Sequence, residues 1–504
     1  MAGAGRREWA VLTAVDGTSR ARHRSALGDG GDGRFAAAQP RDGRAGRVAI
    51  HTGTPASPTV TWLPLWLALA WLLGTFGAFW LTGLSRKVDN PFQLCVFVFA
   101  ATALFAVGYV AQMARRPPAV AVATHSVDRI RQVRQLVLAS SVYYIVVSLT
   151  RLAEFGATGP QSVWTSIRTP ATGYLNKFEI YQQGVGTTSP WMNVLFPLGV
   201  LSVALVPLLV VHWRSLPTWL RLAGIVGTAL YMAFYLFIGT TKGLGDVVIM
   251  LAAGMLIARA SVRRRSRTRS RRRGVLVLVG AAFALLAIYM TYSHAARATE
   301  FGTTGALVQV NPSVERVVGK PMAEGIADVI GYPTHGYLGL SYNLQVPFEW
   351  SRGLGSAPSA AIFAEHTFGA DLTEHPAFPD RTEHEKGWPA RMYWATIYPW
   401  LASDLTFPGA ALFMGLVGWL LAGSWRAAVS SRRVIPTLIF AQLCILIVYV
   451  PANNQLGMAP ESIVGMATLL ALSAMRSLTG GHRQPAAAQD RQPQFRKNLP
   501  IGSA

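Results

Sequence analysis

Residues Phe237 to Met250 read FIGTTKGLGDVVIM and place a cation, Lys242, four positions before an acid, Asp246, inside a long and otherwise apolar stretch. Charges kept in such surroundings mark a paired or functional site, because hydrocarbon solvates them poorly. Arginines stand at comparable boundaries: Arg151, Arg168, Arg297, Arg352 and Arg391. A guanidinium binds two phosphate oxygens in one plane and an ammonium acts as a point charge. The set therefore reads as candidates for gripping a phosphate-bearing ligand, or as side chains that snorkel to the lipid–water boundary. For proton transfer the candidates are His335 in THGY and Asp404 in WLASDLTFPG, with Glu300 as a third. The plainer alternatives are a satisfied loop histidine and an acid interacting with a helix N-terminus. Tyr332, Tyr337, Tyr342 and Trp350 offer flat rings for stacking, or the packed interior of a loop.

These residues need elements to hold them. The chain has 504 residues, 51% hydrophobic and 14% charged, against roughly 25% charged in a soluble domain. Apolar runs long enough to cross a bilayer occur at 60–84, 92–113, 136–155, 191–211, 219–239, 243–259, 274–293, 400–424, 434–450 and 459–475. The expectation is an all-α polytopic integral membrane protein of about ten transmembrane helices.

The formal charge of +22 is unevenly spread. With a cytoplasmic N-terminus and alternating spans, the inner segments carry 33 Lys and Arg and the outer ones 13, while acids number 7 inside and 17 outside. Basic residues in short loops stay cytoplasmic, so both termini are expected there. The run RRRSRTRSRRR (263–273) reads as a topology anchor touching anionic lipid, with no nucleic-acid partner.

The domain boundaries follow. Residues 1–59 and 477–504, rich in small and charged residues, are expected to be disordered cytoplasmic tails. Spans one to seven occupy 60–293 and spans eight to ten 400–476. Between them, 294–399 forms one large extracytoplasmic loop, and 151–190 a smaller one. The large loop holds GYPTHGYLGLSYNL (331–344), PFEW (347–350) and RMYWATIYPW (391–400), aromatic content that suggests a folded cap with interfacial helices, or belt residues at lipid level. Glu365, His366, His375 and His384 belong to a nine-residue Glu-His repeat, whose spacing matches no helical zinc motif; no metal is expected. Cys95 and Cys444 lie within spans as small apolar residues. GTTKG reads as a tight outer connection, with Gly239, Gly243 and Gly245 turning the backbone so that Lys242 emerges at the mouth and can pair with Asp246.

The span pattern, the GTTKG turn and the late outer loop ending in YWATIYPWLASDLTFPGAALFMGLVGWL together resemble the oligosaccharide repeat-unit polymerases, the O-antigen polymerase (Wzy-type) membrane glycosyltransferases. The segment GYLGLSYNLQVPFEWSRGLGS (336–356) is similar to that family's Tyr-rich stretch. The likeness runs from about Val60 to Arg476. Asp404-Leu405-Thr406-Phe407-Pro408-Gly409 departs from the family's Asp-Phe-Gly by insertion.

The resemblance implies a reaction at the outer face of the bacterial cytoplasmic membrane. A hydroxyl of one lipid-linked repeat unit attacks the anomeric carbon of another, and undecaprenyl pyrophosphate leaves, without metal or other cofactor. On that implication Arg151, Arg168, Lys242, Arg297, Arg352 and Arg391 stabilise the pyrophosphate. His335 or Asp404 serves as base, and Tyr342 with its neighbours contacts sugar. Partners would be the undecaprenyl-pyrophosphate-linked oligosaccharide, membrane lipids and polysaccharide-export or chain-length proteins. Two other readings stay open. A ligase-like or other polyprenyl-dependent glycosyltransferase shares the needs, although SRKVDNP (85–91) lacks the acidic pair usual in lipid-monophosphate transferases. A transporter of the same lipid-linked sugars would show repeated halves and midplane polar sites, which are not evident.

Overall fold

The computed structural model describes residues 58–115, 126–182, 198–262, 270–301, 308–369, 375–390 and 393–480. The chain divides into 1–55 and 56–504, and every described residue lies in the second unit. Residues 1–57 of the predicted tail 1–59 and most of 477–504 thus fall outside the described residues, as do 263–269 of the arginine run, Arg391, and 191–197 of the fourth predicted run; 58 and 59 already belong to a helix.

A long apolar run in lipid has no water to satisfy its backbone, so its N–H and C=O groups must pair within the segment. In their described parts the ten predicted runs fall on helices: α1 (Pro58–Leu81), α2 (Pro91–Ala114), α3 (Ser126–Glu154), α6 (Gly199–Val211), α7 (Thr218–Phe237), α8 (Lys242–Val262), α9 (Ser270–Phe301), α15 (Tyr398–Ser431), α16 (Val434–Tyr449) and α17 (Pro460–Gly480). Among the described residues α1, α2, α3, α7, α8, α9 and α15 are long and apolar enough to cross a membrane, α6 and α16 are shorter apolar helices, and α17 falls in neither group. No strand occurs among the described residues. This is a helical membrane protein.

The segments expected on the outer side fold as helices too. α4 (Pro160–Arg168) and α5 (Pro170–Gln182) follow α3, and α10 (Pro312–Val318), α11 (Lys320–Gly331), α12 (His335–Asn343), α13 (Pro358–Phe368) and α14 (Phe378–Lys386) fill the large loop. α9 runs on past 293 to Phe301 and carries His294, Arg297 and Glu300 as helical residues. α12 is buried rather than superficial. Its Tyr337 is 1% exposed, with its hydroxyl 3.0 Å from Thr75 Oγ1 and donating to the Leu72 carbonyl at 3.3 Å. Asn90 and Gln93, at the start of α2, donate to the carbonyls of Ser341 and Leu344, both at 3.1 Å. Tyr337 therefore packs the cap onto α1 and is unavailable for stacking a ligand.

α15 is two helices in one. Thr406, at φ 65° and ψ 166°, interrupts α15. Its hydroxyl accepts from the Gly409 amide at 3.4 Å, an N-cap geometry that starts the second segment, with Pro408 in the first turn where a missing N–H costs nothing.

The tightest contact is between α2 and α15. A Cβ on Gly108 would stand 1.9 Å from the Gly415 carbonyl oxygen, and one on Gly418 2.0 Å from that of Phe105. Small residues let membrane helices approach backbone to backbone. Gly108→Ala is expected to force α2 and α15 apart and cost about 1–3 kcal/mol, read as a lowered thermal unfolding midpoint in detergent.

Candidate functional site

Three helix ends meet at one end of the bundle. α3 closes on Arg151, α8 opens on Lys242, and α17 opens on Pro460 and Glu461, where an acid suits the positive end of the helix dipole. Arg151 Nη2 lies 3.5 Å from Glu461 Oε1, with both side chains less than one-fifth exposed, and the guanidinium sits over the Phe234 ring at 5.6 Å. Arg151, Lys242, Asp246, Glu461, Tyr231 and Gln442 line a common cavity of about 30 Å³, room for a water or two.

Asp246 is 8% exposed. One of its oxygens, Oδ1, is buried with no hydrogen-bond partner, while the Tyr449 phenol hydrogen-bonds to the carboxylate. Lys242 lies more than 4 Å from every acid among the described residues, so the expected Lys242–Asp246 ion pair is not formed. Both side chains face the cavity instead.

The glycines of GTTKGLGD divide their work differently from the expectation. Gly239 alone has a positive φ, of 60°, and makes the turn. Gly243 and Gly245 are helical and serve close approach. A Cβ on Gly243 would stand 2.1 Å from the Tyr235 ring, and one on Gly245 3.0 Å from the Tyr449 hydroxyl. The turn is also covered: a Cβ on Gly239 would stand 2.3 Å from the Pro170 carbonyl oxygen, at the head of α5. Lys242 is therefore half-buried beside the cavity and does not emerge at an open mouth.

Of the residues singled out by sequence, the structure brings together Arg151, Lys242 and Asp246. The others stand apart. Arg168 is exposed beside the Trp164 ring, and Arg297 lies over Tyr174. Arg352, at φ 54°, is exposed on a loop, and Tyr342 packs on Trp388.

Both predicted bases are engaged in hydrogen bonds. The Trp394 amide donates to His335 Nε2 at 3.1 Å, which leaves Nδ1–H to donate to the Gly331 carbonyl at 2.8 Å. Both nitrogens are committed, and burial pushes the imidazolium down to about 4. His335 is a neutral strut between α11 and the 393–396 segment. Folding favours its neutral form, so its contribution is complete above pH 6.5 and fades as pH falls toward 4, by up to about 3 kcal/mol. His335→Gln, which can donate and accept in the same places, is expected to flatten that part of the stability profile, measured as unfolding midpoint against pH.

Asp404 organises a loop. Its Oδ1 accepts from Ser351 Oγ at 2.5 Å and the Gly353 amide at 2.8 Å, and its Oδ2 from the Ser356 amide at 2.7 Å. The short segment SRGLGS is wrapped around one carboxylate. Among the described residues no three His, Cys, Asp or Glu side chains gather as metal ligands.

Sequence reasoning missed Glu461, Gln442, Tyr449 and Tyr231. The signal was present: Glu461 is the one acid of the last apolar run and Gln442 a polar side chain within the ninth, and polar groups inside spans are functional candidates by default.

The fold and the cavity define a helical membrane protein with a buried, charge-balanced cluster at one end of its bundle. No protein-family model, no curated protein and no solved structure matches the chain.

Proposed function

We propose that the chain is a ten-span glycosyltransferase of the bacterial cytoplasmic membrane, with both termini cytoplasmic, that polymerises lipid-pyrophosphate-linked oligosaccharide repeat units into a cell-surface polysaccharide. The observation that supports this reading is the convergence of Arg151 and Lys242, from helices far apart in sequence, on one cavity with two carboxylates. Arg151 and Lys242 would take the oxygens of the leaving pyrophosphate, where fixed cations lower the energy of developing charge. Asp246, with one oxygen unengaged, would take the proton of the attacking hydroxyl as that oxygen bonds to the anomeric carbon and the bond to pyrophosphate breaks. Glu461 holds Arg151 in place. The cavity is water-sized, so the reading requires it to open on substrate binding. Chain-length or export proteins are the expected partners of such an enzyme.

One observation favours a second reading. Two cations and two acids in a buried site resemble the intramembrane charges of ion-coupled transporters, which would carry the same lipid-linked sugars. A single experiment separates the readings: purified protein in vesicles is given a lipid-pyrophosphate oligosaccharide. Lengthened lipid-linked chains support polymerisation, and transfer of single units to another acceptor indicates a ligase. Movement across the vesicle without new bonds indicates a transporter.

A further inference from the structure

The turn that joins α16 to α17 borders the charged cavity and carries no charge of its own. Residues 450–460 read VPANNQLGMAP. The turn leaves α16 at Tyr449, whose phenol bonds the Asp246 carboxylate, and it enters α17 just before Glu461, with Ala459 lining the cavity itself. Its backbone is pinned on several sides. The amides of Ala452 and Asn453 donate to the Tyr449 carbonyl at 2.9 and 2.8 Å, and those of Thr396 and Ile397 donate to the carbonyls of Ala452 and Val450 at 2.9 and 3.0 Å. The Asn454 carboxamide closes the turn: it accepts from the Gly457 amide at 3.1 Å and donates to the Ser356 carbonyl at 2.7 Å. The Ser359 amide, in the first turn of α13, donates to the Gly457 carbonyl at 3.0 Å.

Against this fixed backbone three polar groups are left over. Gln455 is 6% exposed, yet its carboxamide makes no hydrogen bond among the described residues. Ser359, also 6% exposed, has a buried hydroxyl without a partner. Asn453 accepts from the Asn454 amide at 2.8 Å and leaves its Nδ2 unengaged. Most buried polar groups in proteins are paired, because an unpaired one keeps its desolvation cost, so groups held open on a rigid turn fit a ligand that pairs them. All three are neutral. Anions are gripped by fixed cations, which this turn lacks, and an apolar chain would leave two carboxamides and a hydroxyl unpaired. Sugar hydroxyls, which both donate and accept, match them.

We propose that the turn is a sugar subsite in which Gln455, with Asn453 and Ser359, hydrogen-bonds the hydroxyls of a neutral sugar of the lipid-linked oligosaccharide. The proposal rests on the polymerase reading for the pyrophosphate half of the ligand, which the neighbouring Arg151–Lys242 cavity takes. The sugar half is tested by itself.

The test uses the full chain in lipid nanodiscs and two separate probes: the free oligosaccharide cut from the lipid-pyrophosphate substrate, titrated by saturation-transfer NMR, and inorganic pyrophosphate, titrated by calorimetry. The wild type is expected to bind both. Gln455→Leu should weaken oligosaccharide binding about tenfold, the loss of one buried neutral hydrogen-bonding group, and leave pyrophosphate binding unchanged. Lys242→Ala should do the reverse. Should Gln455→Leu fail to fold, Asn453→Ala, at a partly exposed position, carries the test. Equal oligosaccharide binding in wild type and variants would overturn the proposal by leaving these groups to water, as would no binding of the free oligosaccharide to the wild type. Equal weakening of both probes in Gln455→Leu would also overturn it, by showing a general loosening. Oligosaccharide binding that depends on Gln455 in a protein that does not elongate chains would support the subsite and sink the polymerase reading.

Discussion

Lys242→Ala is expected to stop chain growth, lowering extended lipid-linked product by about 10²-fold or more, the usual effect of removing one preorganised group that stabilises transition-state charge. The protein should remain in the membrane, because Lys242 makes no ion pair whose loss would strand a buried acid. Asp246→Asn should give a comparable loss by removing the unengaged oxygen that accepts the proton. Arg352→Gln, on an exposed loop away from the cavity, should keep wild-type chain lengths. The assay is elongation of a purified lipid-pyrophosphate oligosaccharide, resolved by length. Wild-type lengths in Lys242→Ala would remove the cavity from the chemistry and leave its charges a purely structural role.

Glu461→Ala is expected to destabilise the fold by about 3–5 kcal/mol, because it leaves the Arg151 guanidinium buried and unpaired. The pair stands 3.5 Å apart with side chains 19% and 18% exposed, enough burial for the orphaned charge to be costly. Replacing both partners, as Arg151→Met with Glu461→Leu, should cost much less than the sum of the single changes. Apolar side chains of similar volume need no desolvation of charge. Thermal unfolding of the four proteins in detergent gives the coupling directly. Additive single effects would show that Arg151 and Glu461 do not depend on one another.

The membrane helices were legible in the sequence because their signal is local. A run of apolar residues must pair its backbone within itself, so its position in the chain is enough to identify it. Even the short helices Gly199–Val211 and Val434–Tyr449 fall where the runs predicted. The kink at Thr406 was not legible in this way, since Pro and Gly inside an apolar run are common in membrane helices. The candidate site was legible in part. Arg151, Lys242 and Asp246 stood out as charges at the edges of apolar runs, but nothing in the sequence distinguished them from Arg168, Arg297 or Arg352.

By itself, then, the sequence determined an all-helical membrane protein, the places of its apolar helices, and a short set of polar residues that lipid would not tolerate without a reason. The tertiary structure decided which of them meet. It brought Glu461, some three hundred residues from Arg151, into the same cavity. It committed both nitrogens of His335 and both oxygens of Asp404 to the backbone and loop. It also turned Gly243 and Gly245 from turn residues into clearance for two tyrosine side chains. The physical reason is range: backbone pairing in a span is settled within four residues along the chain, whereas a charge cluster depends on how separate helices cross.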